Sequence, residues 1–63
     1  MIHLIVKNKP SALKETILTH KIDCKAFRYD ANKRKILIYD NLIEYVNDIP
    51  SFGIVNVVEI ITY

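Results

Sequence analysis

Glycine occurs once in these 63 residues, cysteine once, proline twice and tryptophan not at all. Each scarcity excludes something. With Gly53 as the sole glycine, no phosphate-cradling glycine loop is possible, and nucleotide binding through one is out. With Cys24 alone, the chain holds neither an internal disulfide nor a paired-cysteine metal site, and a lone thiol fits a reducing compartment. Long hydrophobic runs are also missing: none approaches the ~20 residues of a membrane span. Met1 to Asn8 lacks the basic start and long apolar centre of a signal peptide, so a soluble, cytoplasmic chain is expected.

Bases are absent from the second half. All nine Lys and Arg lie in residues 1–35, where three acids leave a net +6, whereas residues 36–63 hold four acids and no base, a net −4. The overall +2 therefore conceals an electrically two-ended chain. What is abundant is apolar: 51% of residues are hydrophobic, which argues for a folded rather than a disordered chain. Residues 1–63 make one small α+β domain. A chain of this length buries only about 60% of its unfolded surface, so added burial through association is expected.

Ile2 to Lys7 alternates, with Ile2, Leu4 and Val6 on one side and His3, Ile5 and Lys7 on the other, which predicts a first strand. Lys9-Pro10-Ser11 stops it, with proline suited to a first helical turn and Ser11 to capping. Leu13, Thr16, Ile17 and His20 follow at helical spacing, widened by Leu18, so residues 11–20 are expected to form a short amphipathic helix. Strand-like runs at 24–29 and 35–39 flank Asp30-Ala31-Asn32-Lys33-Arg34, a hairpin whose turn chemistry comes from Asp30 and Asn32. Asp40 offers an N-cap for a second helix over 41–48, with Leu42, Tyr45, Val46 and Ile49 as its apolar stripe and Pro50 as its stop. Ile54 to Tyr63 is the expected last strand.

Strand, helix, strand, strand, helix, strand, joined by right-handed crossovers, gives a ferredoxin-like βαββαβ two-layer sandwich. Its four-stranded antiparallel sheet would run in the order 4-1-3-2, with both helices on one face. A small irregular α+β fold, or a dimer completing its sheet across chains, is the alternative.

One face of such a sheet is open. Ile5 would lie on it, as would Leu37 and Tyr39 if the β-branched Ile36 and Ile38 take the core. The last strand is apolar on both faces and forms a sheet edge with Glu59 as its only charge; edges of that kind are usually covered. The expected protein interface is therefore Ile54, Val55, Val57, Glu59, Ile61 and Tyr63, with Ile5, Leu37 and Tyr39 beside it. The competing surface is the basic hairpin. There Lys25, Arg28, Lys33, Arg34 and Lys35 interleave with Phe27 and Tyr29, a patch suited to phosphates and bases or to an acidic partner. Lysines at a hairpin equally protect a sheet edge.

Catalytic chemistry is thin. Cys24, Ser11 and Ser51 are the nucleophile candidates and His3 and His20 the bases, but His20 and Cys24 are not expected to share a helix face, because Ile22 and Asp23 lie beyond the helix end. Asp40, Glu44 and Asp48 recur along the second helix as a solvated face. No catalytic, cofactor or metal residue is expected.

The run from Cys24 through Ile49 resembles a heavy-metal-associated domain of the copper-chaperone type, in which a hairpin and helix follow in similar register. Such domains bind metal through two cysteines between strand one and helix one. Here that segment is Lys7-Asn8-Lys9-Pro10-Ser11, so metal carriage is not expected. Leu4-Ile5-Val6-Lys7-Asn8 loosely resembles the first-strand signature of the RNA-recognition motif, yet Ile5 stands where a stacking aromatic is needed. Lys35-Ile36-Leu37-Ile38-Tyr39 also lacks that family's glycine and aromatic pattern. The expected function is a non-enzymatic protein-binding module, a small regulator or inhibitor of mobile-element or phage type. It would act as a homodimer or on a partner protein, away from membranes and metals. The alternative is a small nucleic-acid-binding protein using the basic hairpin.

Overall fold

The alternation of Ile2 to Lys7 is realised as β1 (Ile2–Asn8), with Leu4, Val6 and Asn8 buried. The computed structural model describes residues 1–63. After β1 come β2 (Leu18–Cys24), β3 (Ala26–Asp30), β4 (Lys35–Tyr39), α1 (Leu42–Asn47), β5 (Phe52–Ile54) and β6 (Val57–Thr62). No helix is long and apolar enough to cross a membrane.

The four-stranded ferredoxin-like sheet with two helices does not form. Instead there are two three-stranded antiparallel sheets, ordered β2-β1-β6 and β3-β4-β5, and a single short helix. The overturning segment is 11–20. Its start signals are present: Ser11 Oγ accepts the Leu13 N–H at 3.1 Å, and the Ser11 carbonyl accepts the Lys14 N–H. They close one turn that does not propagate. Thr16, Ile17 and Thr19 are β-branched and unfavourable in a helix. A helix of ten residues is marginal without packing, whereas Leu18 to Cys24 gains a full ladder against β1, from Asn8 opposite Leu18 to Ile2 opposite Cys24. Leu13, placed in the stripe by helical spacing, is 95% exposed.

Two segments belong to both sheets. Only Lys25 separates β2 from β3, and only Val55-Asn56 separates β5 from β6, so each pair is a bent ribbon that leaves one sheet and enters the other. The corners are fastened by backbone bonds: Lys25 N–H to the Tyr39 carbonyl, Lys9 N–H to Asn56, and Val57 N–H to Arg34. Asn56 takes a left-handed conformation at its corner (φ 56°), one that asparagine tolerates.

Between the sheets lies the core: Leu4, Val6, Ile22, Cys24 and Val57 from one, Ile36 and Ile38 from the other. Burial pushes the Cys24 thiol above its ordinary value of 9.0. Asn8 is the one buried polar residue. Its Nδ2 donates to the Val55 carbonyl at 3.1 Å, which leaves Oδ1 as acceptor and requires that His20 Nε2 carry the proton in their 2.8 Å bond. A single amide thus ties β1 to β2 and to the second corner.

Candidate functional site

Strand β6 lies at the edge of its sheet, and only β1 pairs with it. The Tyr63 N–H bonds to the His3 carbonyl at 3.0 Å. Since hydrogen-bonded and non-bonded pairs alternate along an antiparallel ladder, Ile61 and Glu59 also face β1. The N–H and C=O groups of Ile60 and Thr62 point away from it, into the open. The register of this pair shifts between Lys7 and Asn8, so that Val58 is the extra residue of a bulge. The sole charge on β6, Glu59, is held by Lys7 at 3.3 Å on the outer face. The other three edges are less open to pairing: β5 has three residues, β2 carries Lys21 and Asp23, and β3 carries Arg28 and Asp30.

Beside the open edge runs a groove of about 270 Å³ lined by Tyr29 from β3 and by Val57, Val58, Glu59 and Ile60. Tyr29 sits opposite Ile36 in the β3–β4 ladder, on the inward side, and leans toward β6 across the gap between the sheets. Val58 also belongs to a second, smaller cleft of about 90 Å³, with Lys9, Ala12, Arg34 and Asn56. Lys9 comes from the β1–β2 loop and Arg34 from the β3–β4 turn; neither is ion-paired. Sequence reasoning could not join them, because only the corner brings the two loops together: Asn56 bonds to Lys9 and Pro10, and the Val57 N–H donates to the Arg34 carbonyl.

The residues expected to form a protein interface divide among several places. Ile5, Glu59, Ile61 and Tyr63 share the outer face of the first sheet, where the Tyr63 ring packs at a tilt against His3, centroids 5.5 Å apart. Val57 is buried, Ile54 packs against the core, and Val55 is exposed at the corner. Leu37 lies on the outer face of the second sheet. A Cβ on Gly53 would meet its side chain at 3.1 Å, so the lone glycine marks a close approach.

Tyr39 does not join an open face, as expected, but is fully buried. Helix α1 covers it. Asn41, rather than Asp40, caps that helix, its Oδ1 accepting the Glu44 N–H at 2.8 Å, and Asp48 ends it in a left-handed conformation. Tyr39 donates its hydroxyl proton to Asp48 Oδ1 at 2.5 Å and meets the Tyr45 ring edge-on at 5.3 Å. The hydrogen bond to Asp48, then burial, then the Asp48 charge raise the Tyr39 hydroxyl above its ordinary 10.0, with Arg28 opposing. With its ionisation disfavoured in the fold, Tyr39 contributes stability that is complete below pH 10 and is lost as pH rises through the raised value. Tyr39→Phe is therefore expected to be less stable than wild type at about pH 8, with the gap narrowing toward about pH 11. Urea midpoints at the two pH values check this; a gap independent of pH would refute it.

The basic hairpin is also divided. Phe27 packs against the core, and the Arg28 guanidinium lies over the Tyr45 ring at 4.1 Å while donating to the Tyr45 carbonyl at 2.9 Å. Lys25, Lys33, Arg34, Lys35 and the half-exposed Tyr29 remain at the surface, but not as the single interleaved patch expected of a nucleic-acid binder.

One surface reverses the sequence expectation outright. The stripe of Leu42 and Val46 on α1 turns outward with Ile43; they are 65%, 75% and 74% exposed. Only Tyr45 of that helix is committed to the sheet below, because Arg28 and Tyr39 hold it there.

His20 bonds to Asn8 and not to Cys24, and no group of three or more metal-ligating side chains is gathered anywhere. No protein-family model, curated protein or solved structure was found to match this chain.

Proposed function

We propose that the chain is a non-enzymatic protein-binding module that pairs the outer edge of β6 with an extended strand of another polypeptide. The observation that carries it is the row of unpartnered backbone groups at Ile60 and Thr62 beside an apolar groove. Backbone hydrogen bonds along such an edge supply affinity, and side-chain pockets beside it supply selection. The exposed Leu42, Ile43 and Val46 add apolar area of the kind that marks interaction sites. A regulator or inhibitor could act this way by masking its partner, and the lone thiol is in keeping with the cytoplasm. The added strand comes from a partner protein or from a second copy.

The test is a proline at an outward-facing amide. Thr62→Pro removes an N–H that β1 does not use, so it blocks strand addition while leaving the sheet intact. The probe is an acetylated, amidated peptide of residues 57–63. Wild-type protein is expected to bind it, with slowed hydrogen exchange at the Ile60 and Thr62 amides, and Thr62→Pro to lose at least about tenfold in affinity. Edge amides that stay unprotected at millimolar peptide would sink the proposal.

A further inference from the structure

The open edge of β6 is not uniform along its length. Its middle borders the apolar groove under Tyr29, while its beginning borders the cleft where Lys9 and Arg34 converge on Asn56, and Val58 belongs to both. An occupant of the edge meets an apolar wall and then two cations. Directly opposed residues in a ladder show their side chains on the same face. The occupant's residue opposite Ile60 therefore points toward Tyr29, because Ile60 itself pairs with Val6 on the core side.

Direction follows from pairing stability, antiparallel ladders being slightly the more stable per residue. In antiparallel addition the occupant's later residues lie toward the start of β6, so about two residues beyond the apolar one a side chain reaches Val58 and the mouth of the cationic cleft. Neither Lys9 nor Arg34 has an acidic partner in the fold. The only carboxylate lining either depression, Glu59, is already held by Lys7. At about 90 Å³, the cleft takes a carboxylate, given that a water occupies about 30 Å³. Parallel addition would reverse the order and put the acid before the apolar residue, in a pairing slightly less stable per residue.

We infer that the β6 edge accepts, antiparallel, an extended segment of a partner protein with an apolar side chain followed about two residues later by an aspartate or glutamate side chain. This rests on the reading of β6 as the pairing edge. It also disfavours a symmetric pair of β6 strands. With Ile60 opposite Ile60 of a second copy, the residue reaching Val58 is Thr62, which carries no charge.

Two peptides test this, both acetylated and amidated and both spanning residues 57–63, one carrying Thr62→Asp and the other Thr62→Asn. Fluorescence anisotropy at low salt is expected to show the aspartate peptide binding about fivefold more tightly. That advantage should shrink toward unity at about 0.5 M salt and vanish in Lys9→Gln/Arg34→Asn, a protein that retains its fold and its binding of the asparagine peptide. Asparagine suits position 34, whose φ is 50°. Equal binding of both peptides, or an advantage that survives the double substitution, overturns the acidic specificity while leaving strand pairing standing. Failure of both peptides to bind overturns both.

Discussion

Leu4→Ala is expected to remove about half of the protein's folding stability. Leu4 is fully buried at the centre of β1, the middle strand of its sheet, and packs among Val6, Ile22 and Cys24 and the facing Ile36 and Ile38. Truncating such a side chain costs about 2–5 kcal/mol, from lost burial and from the cavity left behind. At roughly 0.05–0.15 kcal/mol per residue, a domain of this size has about 3–9 kcal/mol in all. The core has too few side chains to close over the gap. Leu4→Met conserves volume and should cost under about 1.5 kcal/mol, keeping the chain folded. Urea titration followed by far-ultraviolet circular dichroism distinguishes the two; a Leu4→Ala chain with a wild-type midpoint would show that the two sheets do not share one core.

The second large effect concerns Arg28. Its guanidinium is the clip between the second sheet and α1, stacked over Tyr45 and bonded to the Tyr45 carbonyl. At an exposed site such as this a cation–π contact is worth about 0.5–1 kcal/mol, and the hydrogen bond adds about 0.5–1.5 kcal/mol. Arg28→Ala is expected to release the helix, lower the melting temperature and expose Tyr39. Arg28→Lys separates this from a phosphate-binding role. A lysine keeps the charge but not the planar fork that stacks and donates at once, so it should destabilise almost as much as alanine. Were Arg28 instead a solvent-facing contact to nucleic acid, the lysine variant would melt like wild type and retain binding.

How much of this was legible in the sequence depended on whether a segment's local pattern and its best partner agreed. For Ile2 to Lys7 they agreed, and the inward set of Ile2, Leu4 and Val6 follows from period-two alternation alone. The hairpin around Asp30 is legible because its turn is local: Asp30 Oδ1 accepts the N–H groups of Asn32 and Lys33, as turn chemistry requires. The choice of Ile36 and Ile38 for the core is met by full burial. At 11–20 pattern and partner disagreed. Pro10 and Ser11 open a turn, but the alternation of His20, Ile22 and Cys24 on the inward face belongs to a strand whose reward, β1, lies more than ten residues away.

Once that element is a strand, the crossover that a ferredoxin-like sheet needs is gone, and both sheets follow from the two bends. The bend at Val55-Asn56 is the other feature that periodicity hides, because valine, isoleucine and a single asparagine read as one continuous strand. Of the binding surface, the edge character of the last strand and its lone Glu59 were legible. The Lys9 and Arg34 cleft was not, since its residues are distant in sequence and meet only through backbone bonds at Asn56 and Val57. The outward turn of Leu42 and Val46 was hidden for a related reason: the identity of the face that packs is set by Arg28 and Tyr39, which lie on other elements.

The pairing of β1 with β6 has a consequence for how the molecule is made. The strand at residues 2–8 finds one neighbour early, when β2 follows it out of the ribosome, and its other neighbour only when residues 57–62 have emerged. Until then β1, the central strand of the finished sheet, is itself an exposed edge, carrying Leu4 and Val6, two of the seven side chains that will make the core. At about 5–20 residues per second that interval lasts several seconds. During it, the nascent chain offers a partner strand a site that the folded protein no longer has.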